Sequence, residues 1–217
     1  TTNRINDPQV GEDLIAGGSC DMVSMARPLL ADPFFVTKAA AGKAAQIAPC
    51  IACNQACLDH TFSGRLTSCL VNPRACAETE LVITPAATPR RIAVVGAGPA
   101  GLSAALTACE RGHAVTLFDA SDRVGGQLNL ARQVPGKEEF HGLVDWYAAM
   151  VADADIDLRL NTRATPELLA GFDEIVIATG VTPRDPEIPG QDGANVCSYI
   201  DLLTGKVTAG PRVAVIG

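Results

Sequence analysis

From Arg90 onward, apolar residues fall in short unbroken runs separated by glycine turns. Arg91–Val95 reads as a short buried strand, Gly96-Ala97-Gly98-Pro99-Ala100-Gly101 as a turn, and Leu102–Glu110 as an Ala-rich helix stopped by Gly112. Val115–Phe118 is the next strand and closes on Asp119; Glu174–Ala178 is another, ending in Thr179-Gly180. Arg212–Gly217 repeats Arg91–Gly96 almost letter for letter, which predicts a second strand entering a second glycine turn. Upstream the pattern differs. Asp7-Pro8 starts a helix that runs to Ile15-Ala16 and stops at Gly17-Gly18. Asp21–Met25 predicts a short strand, and Asp32-Pro33 opens a further helix. Alternation of this kind is α/β, but three elements cannot close a sheet, so the chain is expected to begin inside a domain. Residues 46–86 show little periodicity, and Thr84–Pro89 is a Pro/Ala/Thr linker.

Composition narrows the class. At 217 residues, 47% hydrophobic and 19% charged, the chain is long enough for a real core and resembles a soluble globular protein. A formal charge of −7 and the lack of a polybasic block argue against a nucleic-acid or membrane-surface partner. Ile92–Cys109 is uncharged for long enough to suggest a membrane span, but Gly96, Gly98, Pro99 and Gly101 suit a turn between two elements better. The opening Thr1-Thr2-Asn3-Arg4 has no apolar signal region, so no targeting peptide is expected.

Five of the eight cysteines lie in the aperiodic stretch 46–86. Four are spaced C-x2-C-x3-C-x11-C, as Cys50, Cys53, Cys57 and Cys69. Crowding of this kind without a secretion signal reads as metal binding in a reducing, cytoplasmic setting. Three bunched thiols and one farther along suit the wrapping of an iron–sulfur cluster, with [4Fe–4S] expected. Structural zinc is the competing reading, although zinc sites usually pair two cysteine knuckles. Cys76 could serve as an alternative ligand. Cys20, Cys109 and Cys197 read as small core residues, and His60, His113 and His141 as structural or solvated.

Gly96-x-Gly98-x-x-Gly101 gains meaning from its setting: a strand before it, a helix after it, and Asp119 ending the next strand. The first glycine permits the turn, the second lets the backbone approach a pyrophosphate, and the third lets helix and strand pack closely. Asp119 is placed to accept hydrogen bonds from ribose hydroxyls. The region is similar to two-dinucleotide flavoproteins, in which a Gly-Gly pair, here Gly125-Gly126 before Gln127, approaches the flavin side of FAD. Their second close approach corresponds to Ala178-Thr179-Gly180.

Taken together, the motifs resemble the bacterial-type NADPH-dependent 2,4-dienoyl-CoA reductases of the old-yellow-enzyme superfamily. The resemblance is carried by Asn3-Arg4-Ile5-Asn6, Asp21–Pro28, Cys50–Asp59, Ser68–Ala75 and Pro135–Phe140. Trimethylamine dehydrogenase-type relatives usually carry C-x2-C-x2-C, so the extra residue before Cys57 favours the dienoyl-CoA branch. The resemblance implies that residues 1–45 are the C-terminal part of an FMN-binding TIM barrel, with Ala26 (backbone N–H) and Arg27 (guanidinium) on the FMN phosphate. It makes 46–87 the cluster segment and linker, 88–205 a Rossmann-like FAD domain, and 206–217 the first strand of a NAD(P)H domain. Ala100, Asp119, Gln127, Lys137 and Ala164 fall at the family's FAD positions, the last two on resemblance alone.

The implied activity is electron transfer from NADPH through FAD and the cluster to FMN, and on to the C=C bond of a 2,4-dienoyl-CoA in fatty acid β-oxidation. The family's proton donors fall outside these residues, so no catalytic acid is assigned; Tyr147 and Tyr199 read as packing residues, and the segment alone is not expected to reduce substrate. Three rivals stand beside this reading: another enoate reductase or amine dehydrogenase, an electron-transfer subunit resembling the glutamate synthase small subunit, and a cofactor-free fragment.

Overall fold

The unbroken apolar run Ile92-Ala93-Val94 has no polar face to offer water, so it can only be a central strand; Ala93 and Val94 are fully buried. In the computed structural model, which describes residues 1–216, this strand, β1 (Arg91–Val95), lies in a four-stranded parallel sheet. On one side it pairs with β2 (Ala114–Phe118), in the register Ile92 opposite Val115, and β3 (Ile156–Arg159) follows outside β2. On the other side it pairs with β4 (Glu174–Ile177), giving the order β3-β2-β1-β4. Chain order reverses at β1, and in such sheets ligands bind beyond the carboxyl ends of the strands at that reversal.

The helix α5 (Pro99–Glu110) starts three residues earlier than expected, inside the glycine turn. Proline's fixed φ suits a first helical position, so the turn and the helix start are one piece. A helix with no counterpart in the sequence reading, α7 (Glu139–Asp153), buries Leu143, Val144, Tyr147 and Val151 along one stripe. Together with Val94, Leu102, Ala105 and Leu117 they form the main core. The Tyr147 hydroxyl meets Ser103 Oγ at 3.0 Å, and burial pushes its phenol upward, so it stays a neutral packing residue as expected.

Other expectations need correction. Asp21–Met25 makes no strand, only a lone parallel bridge between Thr2 and Ser24, because no neighbouring strand offers a ladder. Val213–Ile216 is likewise unpaired, with Val215 92% exposed, and the expected turn glycine Gly217 lies outside the described residues. Cys197 is exposed rather than a core residue, and Tyr199 is exposed at the start of α9 (Tyr199–Leu203). Among the described residues no helix is long and apolar enough to cross a membrane.

In the N-terminal part, α1 (Pro8–Ala16) is capped by Asp7 and ends at Gly17 as its sequence implies. An unexpected short helix, α2 (Arg27–Ala31), precedes α3 (Phe35–Ala40), and the short helices α4 (Leu58–Phe62), α6 (Leu128–Ala131) and α8 (Pro166–Leu169) complete the series. Between them Asp32 is only 3% exposed. Its Oδ2 accepts from Lys38 Nζ at 2.5 Å and from the Ala48 N–H at 3.0 Å, while Oδ1 accepts from the Phe34 N–H at 2.9 Å. Lys38 also donates to the Gln46 carbonyl, which accepts from Trp146 Nε1 on α7 as well. This polar chain ties the first 45 residues to the start of the cysteine segment and to the sheet domain. Asp32→Ala leaves the Phe34 and Ala48 N–H groups without an acceptor and strips a partly buried ammonium of its counter-charge, leaving it only the Gln46 carbonyl. Because the Lys38 side chain is 27% exposed, the expected loss is about 2 kcal/mol, below the range for fully buried pairs, read as a lower urea midpoint.

Candidate functional site

The ends of all four strands meet on one rim. Beyond β1 lies the glycine turn, beyond β2 Asp119, beyond β3 the segment leading to Ala164, and beyond β4 Ala178 to Gly180. The three turn glycines have different reasons to be glycine. Gly96 has φ +108°, and a Cβ there would sit 2.3 Å from the Ala178 carbonyl oxygen. A Cβ on Gly101 would lie 1.8 Å from the Gly96 oxygen. Both are demanded by the fold itself. Gly98 is not: its nearest neighbour would be Gly126 Cα at 4.0 Å. The protein leaves the space before Gly98 open, as a backbone that must approach a ligand requires. Gly126, with φ +52°, comes so close that its own Cβ would lie 2.9 Å from Gly98 Cα, and the Gly125 N–H donates to the Ala97 carbonyl at 2.8 Å. Ala100 is exposed on the first turn of α5.

Asp119 has a role the sequence did not reveal. Its Oδ2 accepts from the Ala97 N–H at 2.6 Å and its Oδ1 from the Ser121 N–H at 2.7 Å, so the carboxylate braces the turn. Each oxygen keeps a lone pair for a further donor such as a ribose hydroxyl. Its carbonyl accepts from the Thr162 N–H at 2.8 Å, which brings half-buried Ala164 to the same rim. Gln127 Nε2 donates to the Val181 carbonyl, linking the Gly-Gly pair to the segment after β4, and Gly180 has φ +76° with nothing near its Cβ direction. Exposed Lys137 stands over the Phe140 ring, 5.3 Å from its centroid.

Cys50, Cys53, Cys57 and Cys69 line one hollow, together with Arg27 and Asn54. All four are free and half-buried. The backbone around Cys53 is left-handed on both sides, at Ala52 (φ +52°) and Asn54 (φ +60°). Non-glycine residues held this way store strain, and such turns aim successive N–H groups into a concavity that suits an anion. Burial pushes the Cys50 thiol up; the Ala52 N–H and Arg27 oppose this, and Cys69 and Cys53 add to it. Among the described residues no three ligating side chains are gathered closely enough to hold a single metal ion. Cys76 is exposed and does not line the hollow. Each histidine has a main-chain partner: the Leu66 carbonyl for His60, the Arg90 N–H for His113 and the Arg132 carbonyl for His141.

A second groove, of about 340 Å³, adjoins the hollow. Ala26 and Arg27 line it, with Asn3, Arg4, Asn6 and Cys50. Arg27 and Cys50 therefore face both spaces. Arg27 Nη1 donates to Asn54 Oδ1 at 2.7 Å, and Arg4 is paired with Glu139 at the rim. The hydrogen bond to Asn54 had no signal in the sequence beyond that residue's place in a longer motif, since it acts across the fold.

The pyridine nucleotide-disulphide oxidoreductase profile matches residues 90–217. The chain is 42% identical over 221 residues to a metal reductase of Desulforamulus reducens, covering 99% of this chain and 33% of that protein. It is 34% identical to a cinnamate reductase of Clostridium sporogenes, covering 100% of this chain and 33% of that protein. A solved 2-naphthoyl-CoA reductase complex superposes with a TM-score of 0.92 at 38% identity, over 96% of this chain and 32% of that one. The chain thus spans about a third of the length of the curated relatives it matches.

Proposed function

Since the chain belongs to the pyridine nucleotide-disulphide oxidoreductase family, we propose that it is a central portion of a flavin and iron–sulfur reductase acting on the C=C bond of a 2,4-dienoyl-CoA. In this reading 1–45 completes an FMN-binding barrel, 46–87 carries a [4Fe–4S] cluster, 88–205 binds FAD, and 206–217 enters the NADPH domain. The observation that carries it is the shared wall: Arg27 and Cys50 each face both the cysteine hollow and the groove that contains Ala26. When bound, FAD would accept hydride from NADPH, the cluster would carry electrons singly, and FMN would return hydride to the substrate.

This chain's residues then bind and orient. Gly98 would lie against the FAD pyrophosphate, Asp119 would brace the turn and accept from the ribose, and Gly126, Gln127 and Gly180 would border the flavin side. Ala100, Ala164 and Lys137 complete the proposed set, with Gly96 and Gly101 shaping the turn. Ala26 and Arg27 would hold the FMN phosphate. Cys50, Cys53, Cys57 and Cys69 would ligate the cluster. A zinc ion needs its thiolates about 2.3 Å from one point. Three bunched cysteines and a fourth farther along, all lining one hollow, suit the wrapping of a larger core better than two paired knuckles.

Anaerobic preparation of the full-length protein tests the reading. It should contain about four iron and four sulfide per chain with the broad visible absorption of a cluster, and chelation of the iron should bleach it. Stoichiometric zinc without sulfide would overturn the proposal. The match to a cinnamate reductase favours one second reading, an enoate reductase that takes a free acid. NADPH consumption with a dienoyl-CoA, compared with consumption with the corresponding acid, separates the two.

A further inference from the structure

Asn6 lines the groove, and its side-chain amide is engaged with a single residue across the fold. The Cys50 N–H donates to Asn6 Oδ1 at 2.9 Å, and Asn6 Nδ2 donates to the Cys50 carbonyl at 2.7 Å. This is the reciprocal pairing a neighbouring strand would make, supplied here by one side chain. Two parallel hydrogen bonds fix orientation as well as distance. Cys50 lies where such a fix matters, since the loop after it is irregular and left-handed at Ala52 and Asn54, and among the described residues no strand pairs with it. Asn6 is itself anchored by its neighbour Ile5, which is 4% exposed. The Arg27 to Asn54 hydrogen bond ties the same loop to the same N-terminal part a few residues farther on.

We propose that Asn6 is a positioning residue: its amide clamps the Cys50 backbone so that the thiolate stays in the wall between hollow and groove, and it thereby sets the rate at which electrons cross to a flavin in the groove. This rests on the reading of the hollow as the cluster site and of the groove as the FMN site. NADPH is the reductant, and its two electrons cross this wall one at a time. A ligand whose support is lost moves relative to both spaces, and the loss of supporting contacts around a metal site is typically felt on the order of tenfold.

The test uses Asn6→Ala and Asn6→Asp in the full-length protein. Asn6→Asp keeps the acceptor for the Cys50 N–H and loses the donor. Iron and sulfide content, the electron paramagnetic resonance spectrum of the reduced cluster, and stopped-flow reduction by NADPH are read together. For Asn6→Ala, FAD reduction should proceed as in wild type, FMN reduction should slow on the order of tenfold, and the cluster signal should shift or broaden. Asn6→Asp should fall between and carries the test if Asn6→Ala fails to fold. Loss of iron and sulfide from an otherwise folded flavoprotein also supports the clamp. Wild-type FMN reduction with an unaltered cluster signal in both variants overturns it. Absence of iron and sulfide from the wild type itself sinks the cluster reading on which the inference stands, a separate failure.

Discussion

Cys53→Ala should stop FMN reduction by NADPH while FAD is still reduced. Cys53 lies between the two left-handed residues of the loop and lines the hollow with the other three thiols. Removing it takes away one of the four proposed cluster ligands, and the expected drop in FMN reduction is at least on the order of a hundredfold, the upper end of what losing a supporting contact costs. The FAD rim is built from the carboxyl ends of the strands and shares no residue with the hollow, so the first reduction should keep its rate. Stopped-flow traces at wavelengths that separate the flavins would show a surviving fast phase and a missing slow one. Normal FMN turnover in this variant would mean that the electrons take another route.

Gly98→Ala and Gly101→Ala should fail in opposite ways. The added methyl at Gly98 meets nothing closer than 4.0 Å, so the protein should fold with its urea midpoint unchanged. The methyl fills the space kept open for a ligand, however, and FAD affinity should fall by about 2 kcal/mol, roughly thirtyfold in Kd. At Gly101 the methyl would sit 1.8 Å from the Gly96 oxygen, so strand and helix must part and stability should drop by about 3 kcal/mol. Titration with FAD followed by flavin fluorescence, beside urea denaturation, distinguishes the two. If Gly98→Ala bound FAD as well as wild type, the open space before Gly98 would not be a cofactor approach.

What could be read in advance depended on whether a feature is local. The β1–turn–α5 unit was legible because its apolar run, its glycines and its proline lie side by side in the chain. The cysteine spacing pointed to one shared space for the same reason. The edge strand β4 was foreseen, although Ile175 and Ile177 stay exposed beside it, because an apolar run predicts a strand without saying how many partners it finds. The misses are non-local. Asp21–Met25 has the composition of a strand, but a ladder needs a neighbour, and a single bridge to Thr2 is all it finds. The stripe on α7 is the exception: Leu143, Val144, Tyr147 and Val151 stand at i, i+1, i+4 and i+8, a local helical spacing that was there to be read. Buried Asp32, the bracing role of Asp119 and the Asn6 clamp could not be seen at all, because polar side chains carry no periodic signal and their partners are set only by the folded chain.

The junction between the N-terminal part and the sheet domain has a practical consequence. The chain contains one tryptophan, Trp146, and its indole N–H is bound to the Gln46 carbonyl at 3.1 Å. Gln46 in turn reaches Asp153 through its amide, and its carbonyl is shared with Lys38. Within these 217 residues, emission excited in the tryptophan band therefore arises at this seam and not in the heart of the sheet. The molecule carries a built-in optical reporter of docking: a red shift on dilution into mild denaturant marks separation of the two parts, even while the circular dichroism of the sheet and helices persists.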